Sequence, residues 1–268
     1  CALCAEGGIM CRLLAWQGAP RYLEDLVFVP EHSLVHQCRH ALICKTPINA
    51  DGFGLAWYSE RAEPCLYKDT HPAWSDPNLA QLSRHTKTGL FLAHVRASTG
   101  TAVSRNNCHP FASGKWSFMH NGQAGGHMQF RKQLDMLIPD HVYDCRLGGT
   151  ESEAIFLIAL GLGMDADPIG AVAAAVQQVE TMSRAHGTTP HMRFGACWSD
   201  GERLFAARYA SDRHAPSLYY RVYDEGVIVT SEPLDSDSSR WVEVQPGSAL
   251  VVEGGRVREV AFMTALAA

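Results

Sequence analysis

The sequence predicts an α+β fold in which helices cover the faces of antiparallel β-sheets. Three observations lead to this expectation: short apolar runs bounded by turn residues lie towards both ends of the chain, two long helical patterns lie in the middle, and the late strands pair through glycine turns. The 268 residues are enough to bury a sizeable core. Because no repeat, low-complexity tract or glycine- and proline-rich linker divides the chain, we expect one domain over residues 11–268.

A series of short segments has the apolar character of β-strands. The first, Cys11–Trp16, reads CRLLAW and is expected to end at Gly18 and Pro20. Two turns are expected to join late strands into hairpins, one at Asp200-Gly201 and one at Gly254-Gly255. The remaining predicted strands are Gly54–Tyr58, Leu90–Val95, Trp116–His120, Phe194–Ser199, Leu204–Tyr209, Leu218–Tyr223, Val227–Ser231, Ala249–Val252 and Val257–Ala261.

Two segments in the middle of the chain have helical patterns. Glu151–Gly163 follows Thr150, and the spacing from Thr150 to Glu153 is that of a capping box ahead of an apolar stripe. Ile169–His186 is rich in Ala, Val and Gln, and it follows Pro168, which suits a first helical turn. Both helices are expected to pack on sheet faces in a layered fold.

Composition and charge favour a small polar substrate. Hydrophobic residues make up 46% and charged residues 19% of the sequence, and no apolar run reaches the roughly 18 residues of a membrane span. The formal net charge is -5 and the basic residues are scattered, so neither a nucleic-acid partner nor a membrane surface is indicated. The nine cysteines include one CxxC pair, Cys1 and Cys4, but they form no dense framework along the chain, so we expect a reducing, cytoplasmic location.

Five segments combine reactive or polar residues with backbone that must bend tightly. They are Met10–Trp16 (MCRLLAW), Asn49–Gly54 (NADGFG), Ala93–Gly100 (AHVRASTG), His120–Gly122 (HNG) and Gly149–Glu153 (GTESE). In this order they resemble the class II glutamine amidotransferases, whose catalytic domain belongs to the N-terminal-nucleophile hydrolases. The resemblance extends from Cys11 to about Gly247. It implies a four-layer αββα sandwich of two antiparallel sheets, an amide-hydrolysing enzyme and no cofactor.

Cys11 is the candidate nucleophile. The resemblance implies that it attacks the amide as the N-terminal residue of the mature chain and forms a thioester. The usual pKa of a thiol is roughly 8.5 and that of an α-amine is roughly 7.7–8.0, so an amine on the same residue can take and return a proton close to neutral pH. This chemistry requires that residues 1–10 be a removable propeptide or an upstream extension before a start at Met10. The alternative is a small cysteine packed in a strand.

Asn121 and Gly122 are the candidate oxyanion hole. The resemblance implies that the Asn121 side-chain amide and the Gly122 backbone N–H donate to the oxygen that gains negative charge during the attack. Glycine lets the backbone approach the substrate without a Cβ. The residues themselves leave another interpretation open, in which Asn121-Gly122 is a hairpin turn after the strand Trp116–His120.

Three residues are expected to hold the glutamyl end of the substrate. Arg96 can bind the α-carboxylate through a bidentate fork, and Thr99 stands at the family's matching threonine. Glu151 stands where the family usually has the aspartate that binds the α-amine. It keeps the charge but reaches one methylene further, and its alternative role is to complement the helix dipole. Asp51 and Gly52 are assigned to structure near the site.

The sequence leaves the leaving group and the partner open. The family-like part uses nearly all of the chain, so we expect no acceptor domain. The protein then either hydrolyses a γ-glutamyl amide or delivers ammonia to a separate synthase. Residues 10–27 (MCRLLAWQGAPRYLEDLV) resemble the γ-glutamyl hydrolase of ergothioneine biosynthesis, which favours hydrolysis. The oligomeric state, including a homodimer, stays open.

Two interpretations from other functional classes also remain. A metal-dependent hydrolase would draw on His94, His109, His120 and His127, with Cys108 beside His109. The sequence has no HExxH motif, however, and no two of these four histidines stand at that spacing, so no metal site is expected. A catalytically silent binding module would keep the residues ahead of Cys11 and leave that cysteine without a free amine.

Overall fold

The computed structural model describes residues 11–40, 48–98 and 100–264, and the predictions for residues 1–10 and for Thr99 lie outside these ranges. In the described part, the strands are β1 Arg12–Tyr22, β2 Phe53–Trp57, β3 Cys65–Asp69, β4 Lys87–Val95, β5 Phe111–Ser113, β6 Trp116–Ala124, β7 Met192–Ser199, β8 Leu204–Ala210, β9 Tyr219–Tyr223, β10 Gly226–Thr230, β11 Val242–Glu243, β12 Ser248–Glu253 and β13 Arg256–Ala261. The helices of the same part are α1 Glu24–Val27, α2 Leu34–Gln37, α3 Pro77–His85, α4 His127–Asp135, α5 Asp140–Tyr143, α6 Glu151–Gly161 and α7 Pro168–Ala185. Within these ranges, no helix combines the length and the apolar character that crossing a membrane requires.

The described strands form two antiparallel sheets. Sheet 1 has the order β11-β9-β10-β1-β4-β2-β3, and sheet 2 has the order β13-β12-β8-β7-β6-β5. Every neighbouring pair in both sheets runs antiparallel. The α+β class and the antiparallel sheets are therefore confirmed.

Three hydrophobic clusters define the layers of the fold. Successive side chains of β1 point to opposite faces of sheet 1. Leu13 and Ala15 pack between the two sheets, whereas Leu14 and Trp16 pack on the side of α1, α2 and α3. A further cluster lies between sheet 2 and the helices α4, α6 and α7. These layers make the four-layer αββα sandwich that the resemblance implied.

The two predicted helices are confirmed as α6 and α7, with small shifts at their ends. Thr150 caps α6, because its Oγ1 accepts from the backbone N–H of Glu153 at 3.2 Å. The Glu153 carboxylate is used differently from a capping box: it accepts from the N–H groups of Leu147 and Gly148, at 3.2 and 2.8 Å, and pairs with Arg146 at 2.8 Å. This carboxylate therefore anchors the loop that leads into α6.

The first strand is longer than predicted. β1 does not end at Gly18 and Pro20 but continues to Tyr22. A Cβ on Gly18 would overlap the carbonyl oxygen of Glu225, so glycine is what lets β1 lie close to the turn before β10. Pro20 falls within a register shift of β1 against β4, where its missing N–H interrupts no regular ladder.

The two predicted hairpins are confirmed, but several small elements escaped prediction. Residues 200–203 join β7 to β8, and Gly254-Gly255 joins β12 to β13 with φ values of 55° and 74°. The sequence did not predict β3, β5 and β11, which are sheet edges, or the helices α1 to α5. α3 and α4 bury two side chains each, which is too few for a clear periodic signal.

Candidate active site

Three neighbouring strands of sheet 1, β1, β4 and β2, have chain ends that lie side by side. Val95, the last residue of β4, pairs with Arg12 on one side and with Phe53 on the other. The start of β1, the end of β4 and the start of β2 therefore lie side by side. This register places Cys11, Arg96 and the Asp51-Gly52 segment next to one another, although they are distant in sequence.

The thiol of Cys11 stands just before β1 and is half-buried. Its Sγ lies 3.4 Å from the backbone nitrogen and 3.5 Å from the carbonyl oxygen of Ala97, so it can accept from the first and donate to the second. Burial raises the pKa of this thiol to about 11 and the charge of Glu151 adds to the rise, while the Ala97 contact, Arg96 and Arg12 act against it. The Cys11 thiol is thus protonated at neutral pH, and a thiol in this state needs a base to act as a nucleophile.

Arg96 is fixed by the loop that follows β4. The residue is 3% exposed, and its guanidinium donates to the hydroxyls of Thr101 and Ser98, at 2.6 and 3.2 Å, and to the carbonyl oxygen of Asp51 at 3.4 Å. Burial and then the charge of Arg96 lower the pKa of His94 to about 3, so His94 is neutral. Arg96 is therefore an oriented cation that suits a carboxylate.

Asp51 and Gly52 brace the same loop. The Asp51 carboxylate accepts from the backbone N–H of Ser98 at 2.7 Å, and the Arg96 backbone N–H donates to the carbonyl oxygen of Gly52 at 2.8 Å. Gly52 has a φ of 112°, and a Cβ there would lie 2.6 Å from Cys108 Sγ. Both residues act on the site through the backbone that carries Arg96.

Asn121 and Gly122 lie inside β6, so the interpretation of Asn121-Gly122 as a hairpin turn is wrong. Both residues pair with β7. The strand continues through position 122, where glycine is required: the φ angle is 146°, and a Cβ there would overlap the carbonyl oxygen of Arg193. Asn121 shares its strand face with Met119, which packs between the sheets, and β6 packs across β1 and β4.

The side-chain amide of Asn121 is buried and unpaired. Asn121 is 1% exposed, and neither Oδ1 nor Nδ2 has a hydrogen-bond partner in the described part of the chain. Burying a polar group without a partner costs free energy. Such an amide suits a ligand atom that arrives from outside.

His120 links the HNG segment to α6, a role that the sequence did not reveal. Its Nδ1 lies 2.8 Å from Ser152 Oγ, and its Nε2 lies 3.2 Å from the carbonyl oxygen of Arg193. A carbonyl only accepts, so Nε2 carries the proton and Nδ1 accepts from the Ser152 hydroxyl. Burial lowers the pKa of His120, which favours this neutral form. The link holds the start of α6, and with it Glu151, beside β6.

Glu151 is a buried carboxylate that borders a cavity. It is 7% exposed and opens the helix α6. In the described part, its carboxylate has one partner within 4 Å, the Nε2 of His127 at 3.7 Å. The cavity measures about 300 Å³ and is lined mainly by polar and small residues, among them Gly100, Gln123, Gln129 and Thr188. A carboxylate with so few partners can bind an ammonium group.

The histidines considered as metal ligands have other surroundings. The rings of His94 and His109 lie 4.3 Å apart in the interior, and burial lowers the pKa of His109 well below its usual value. Both ring nitrogens of His120 are engaged, and His127 faces Glu151. In residues 11–40, 48–98 and 100–264, no group of three or more His, Cys, Asp or Glu side chains is arranged to hold a metal ion.

The αββα sandwich, with a cysteine ahead of its first strand, is that of the N-terminal-nucleophile amidotransferases. Residues 33–224 match the family model of the class II glutamine amidotransferases, and the chain belongs to this family. It is therefore an enzyme that hydrolyses an amide bond, and the cysteine mechanism is typical of its family.

Several known proteins are similar to this chain. A probable glutamine amidotransferase of Saccharomyces cerevisiae is 32% identical over 294 residues, which cover 91% of this chain and 82% of that protein. The γ-glutamyl-hercynylcysteine sulfoxide hydrolase of Mycolicibacterium smegmatis is 28% identical over 244 residues, covering 88% of this chain and 92% of that protein.

Solved structures with the same fold include a glutamine aminotransferase class-II domain protein from Silicibacter pomeroyi. It has a TM-score of 0.77 and 45% identity, and the match covers 95% of this chain and 100% of that one. The glutamine phosphoribosylpyrophosphate amidotransferase of Bacillus subtilis shares the fold, with a TM-score of 0.63 and 13% identity over 94% of this chain and 49% of that one.

Proposed function

We propose that this enzyme, once its chain begins at Cys11, hydrolyses the side-chain amide of glutamine or of a γ-glutamyl compound. The observation that carries the proposal is the Cys11 thiol, which lies against Ala97 within the electrostatic influence of Arg96 and Glu151. The charge of Arg12 also acts on this thiol, but Arg12 pairs with the Glu232 carboxylate at 2.9 Å. Arg96 and Glu151 are then the cation and the anion that match a substrate whose α-carbon bears both a carboxylate and an ammonium group.

The α-amine of Cys11 serves as the base. The pKa of the thiol is raised to about 11, so few thiolates exist at neutral pH and the proton must leave as the attack proceeds. The amine takes this proton as Sγ bonds to the amide carbon, and it returns the proton to the leaving nitrogen as the carbon–nitrogen bond breaks. Water then attacks the thioester and loses its proton to the same amine. As the carbon–sulfur bond breaks, the amine returns the proton to Sγ, and the glutamyl acid is released.

The oxygen that becomes negative during both attacks is held by Asn121 Nδ2 and the Gly122 N–H. The Asn121 amide has no competing hydrogen bond in the described residues, so it is free to donate to this oxygen. Both donors belong to a paired strand, and their positions therefore need little rearrangement during the reaction.

Arg96, Thr99 and Glu151 hold the glutamyl end. The Arg96 guanidinium binds the α-carboxylate with help from Thr99, and Glu151 binds the α-amine. Both side chains are buried, and burial strengthens these charge-assisted contacts. These contacts with the glutamyl end do not depend on which group is attached to the γ-amide nitrogen.

Removal of residues 1–10 completes the site. A residue before Cys11 turns its nitrogen into an amide, and an amide nitrogen cannot serve as the base. The mature domain in this proposal spans residues 11–268.

We favour hydrolysis over transfer of ammonia to a separate synthase. A relative that aligns over most of its own length is named as a γ-glutamyl-hercynylcysteine sulfoxide hydrolase. The small-molecule substrate of this chain is then glutamine-like, with a γ-amide whose leaving group is ammonia or a larger amine.

Turnover of glutamine and of γ-glutamyl-p-nitroanilide tests the proposal. We expect release of glutamate from one or both, insensitivity to a chelator, and loss of turnover in Cys11→Ala. A chelator-sensitive activity that survives in Cys11→Ala would point to metal catalysis instead. Turnover that appears only together with a partner synthase would favour ammonia delivery.

A further inference from the structure

Glu151 needs a second residue to set its position. The family usually has aspartate there, and the extra methylene of glutamate gives the carboxylate one more rotatable bond. In the described part, no hydrogen bond fixes this carboxylate, although the residue is 7% exposed. An unheld carboxylate loses conformational entropy when it binds an ammonium group, and this loss weakens binding.

His127 is the side chain placed to fix it. Its Nε2 lies 3.7 Å from the nearer Glu151 oxygen, and the two side chains are 11% and 9% exposed. Nε2 has no hydrogen-bond partner in the described residues. The distance is too long for a hydrogen bond but close enough to become one through a small rotation of either side chain.

The backbone that carries His127 is itself tightly held. A Cβ on Gly125 would overlap the carbonyl oxygen of Pro190, and a Cβ on Gly126 would overlap the Thr188 hydroxyl. Gly126 has a φ of 69° and precedes α4, whose first residue is His127. Because this turn packs so closely on residues 188–190, the imidazole approaches Glu151 from a fixed direction.

We infer that His127 is a positioning residue for recognition of the substrate's α-amine: its Nε2–H donates to Glu151 and orients the carboxylate toward the ammonium group in the cavity. This inference rests on the proposed function. It assigns to the pair Glu151 and His127 the preference for substrates with a free α-amine over otherwise identical acids that lack it.

The test uses electrophiles that label Cys11, so that it does not depend on the unknown leaving group. The enzyme is incubated with 6-diazo-5-oxo-L-norleucine or with 6-diazo-5-oxohexanoate, which lacks the α-amine. Mass spectrometry then measures the rate at which each compound labels Cys11. We expect wild-type enzyme to prefer the amine-bearing compound in the second-order labelling rate. His127→Phe should reduce this preference about five- to twentyfold, through weaker binding rather than a slower limiting rate.

Two variants separate positioning from a general structural effect. His127→Gln retains a donor and should keep more of the preference than His127→Phe. His141→Phe, a matched change at an exposed histidine of α5, should leave the preference unchanged. Labelling by the compound without the amine should be the same in all of these proteins.

The outcomes distinguish the inference from the function on which it rests. If His127→Phe keeps the full preference for the amine, the positioning role is refuted while the proposed function stands. The positioning role is also refuted if His127→Phe slows labelling by both compounds equally. If wild-type enzyme is not labelled at Cys11 by either compound, the proposed function itself fails.

Discussion

The buried, unpaired amide of Asn121 leads to a sharp prediction about Asn121→Ala. The substitution removes one of the two proposed oxyanion donors, a loss that costs about 2.7–4 kcal/mol of transition-state stabilisation, or roughly 100- to 1000-fold in kcat. KM should change little, since the donor acts mainly on charge that develops in the transition state. In the described part, Oδ1 and Nδ2 have no partner to be left unpaired, so the free energy of unfolding should change by only about 1 kcal/mol.

Asn107→Ala is the matched control. Asn107 is also buried, but its amide donates to the carbonyl oxygen of Ala102 at 2.8 Å and accepts from the N–H of Gly149 at 2.8 Å. Its removal leaves both partners unpaired, which costs about 2–4 kcal/mol and lowers Tm by roughly 5–15 °C. The two asparagines are similarly buried, but Asn121→Ala should mainly lower kcat, whereas Asn107→Ala should mainly lower Tm.

Steady-state kinetics and thermal melts of the two variants provide the assay. A kcat of Asn121→Ala within about threefold of wild type would refute the oxyanion role of Asn121. A decrease in Tm of Asn121→Ala as large as that of Asn107→Ala would also refute this role, because the Asn121 amide would then be a structural group.

Three further predictions concern other groups of the site. In the chain that keeps residues ahead of Cys11, the pKa of the Cys11 thiol is raised to about 11 and no α-amine is present to act as base. The thiolate fraction of Cys11, and with it the rate of alkylation of this residue by iodoacetamide, should therefore rise about tenfold per pH unit from about pH 7 to about pH 10, and a plateau near neutrality would contradict this. Arg96→Lys keeps the charge but loses the fork, so KM should rise roughly ten- to hundredfold with little change in kcat, and an unchanged KM would exclude the carboxylate role. Glu153→Ala should lower Tm by roughly 10 °C, since it removes one of the two carboxylates that pair with buried Arg146 and leaves the N–H groups of Leu147 and Gly148 without their acceptor. Glu151→Ala should instead weaken substrate binding and leave Tm nearly unchanged. Equal melting temperatures for these two variants would argue against the division of roles.

Long, strongly patterned elements were predictable from the sequence. The helix after Thr150 has a cap and a continuous apolar core segment, and the late hairpins have glycine turns, so both depend on neighbouring residues alone. The order of the site motifs along the chain also carried the family resemblance, and with it the two-sheet architecture.

What escaped prediction depends on distant partners. Asn121-Gly122 has the composition of a turn, but it lies in a strand because both residues pair with β7. Position 122 requires glycine because the carbonyl oxygen of Arg193 on β7 occupies the space that a Cβ would need. The position of His120 depends in the same way on Ser152, and that of His127 on the packing of Gly125 and Gly126 against residues 188–190. No local pattern records such contacts.

The central claim is that Cys11 is the N-terminal nucleophile. Mass spectrometry of the protein purified from its own cells, before and after 6-diazo-5-oxo-L-norleucine, tests it directly. The account predicts a chain that begins at Cys11 and carries one label, located on that residue. A chain that keeps residues ahead of Cys11 and still turns over substrate, or a label on another cysteine, would contradict it.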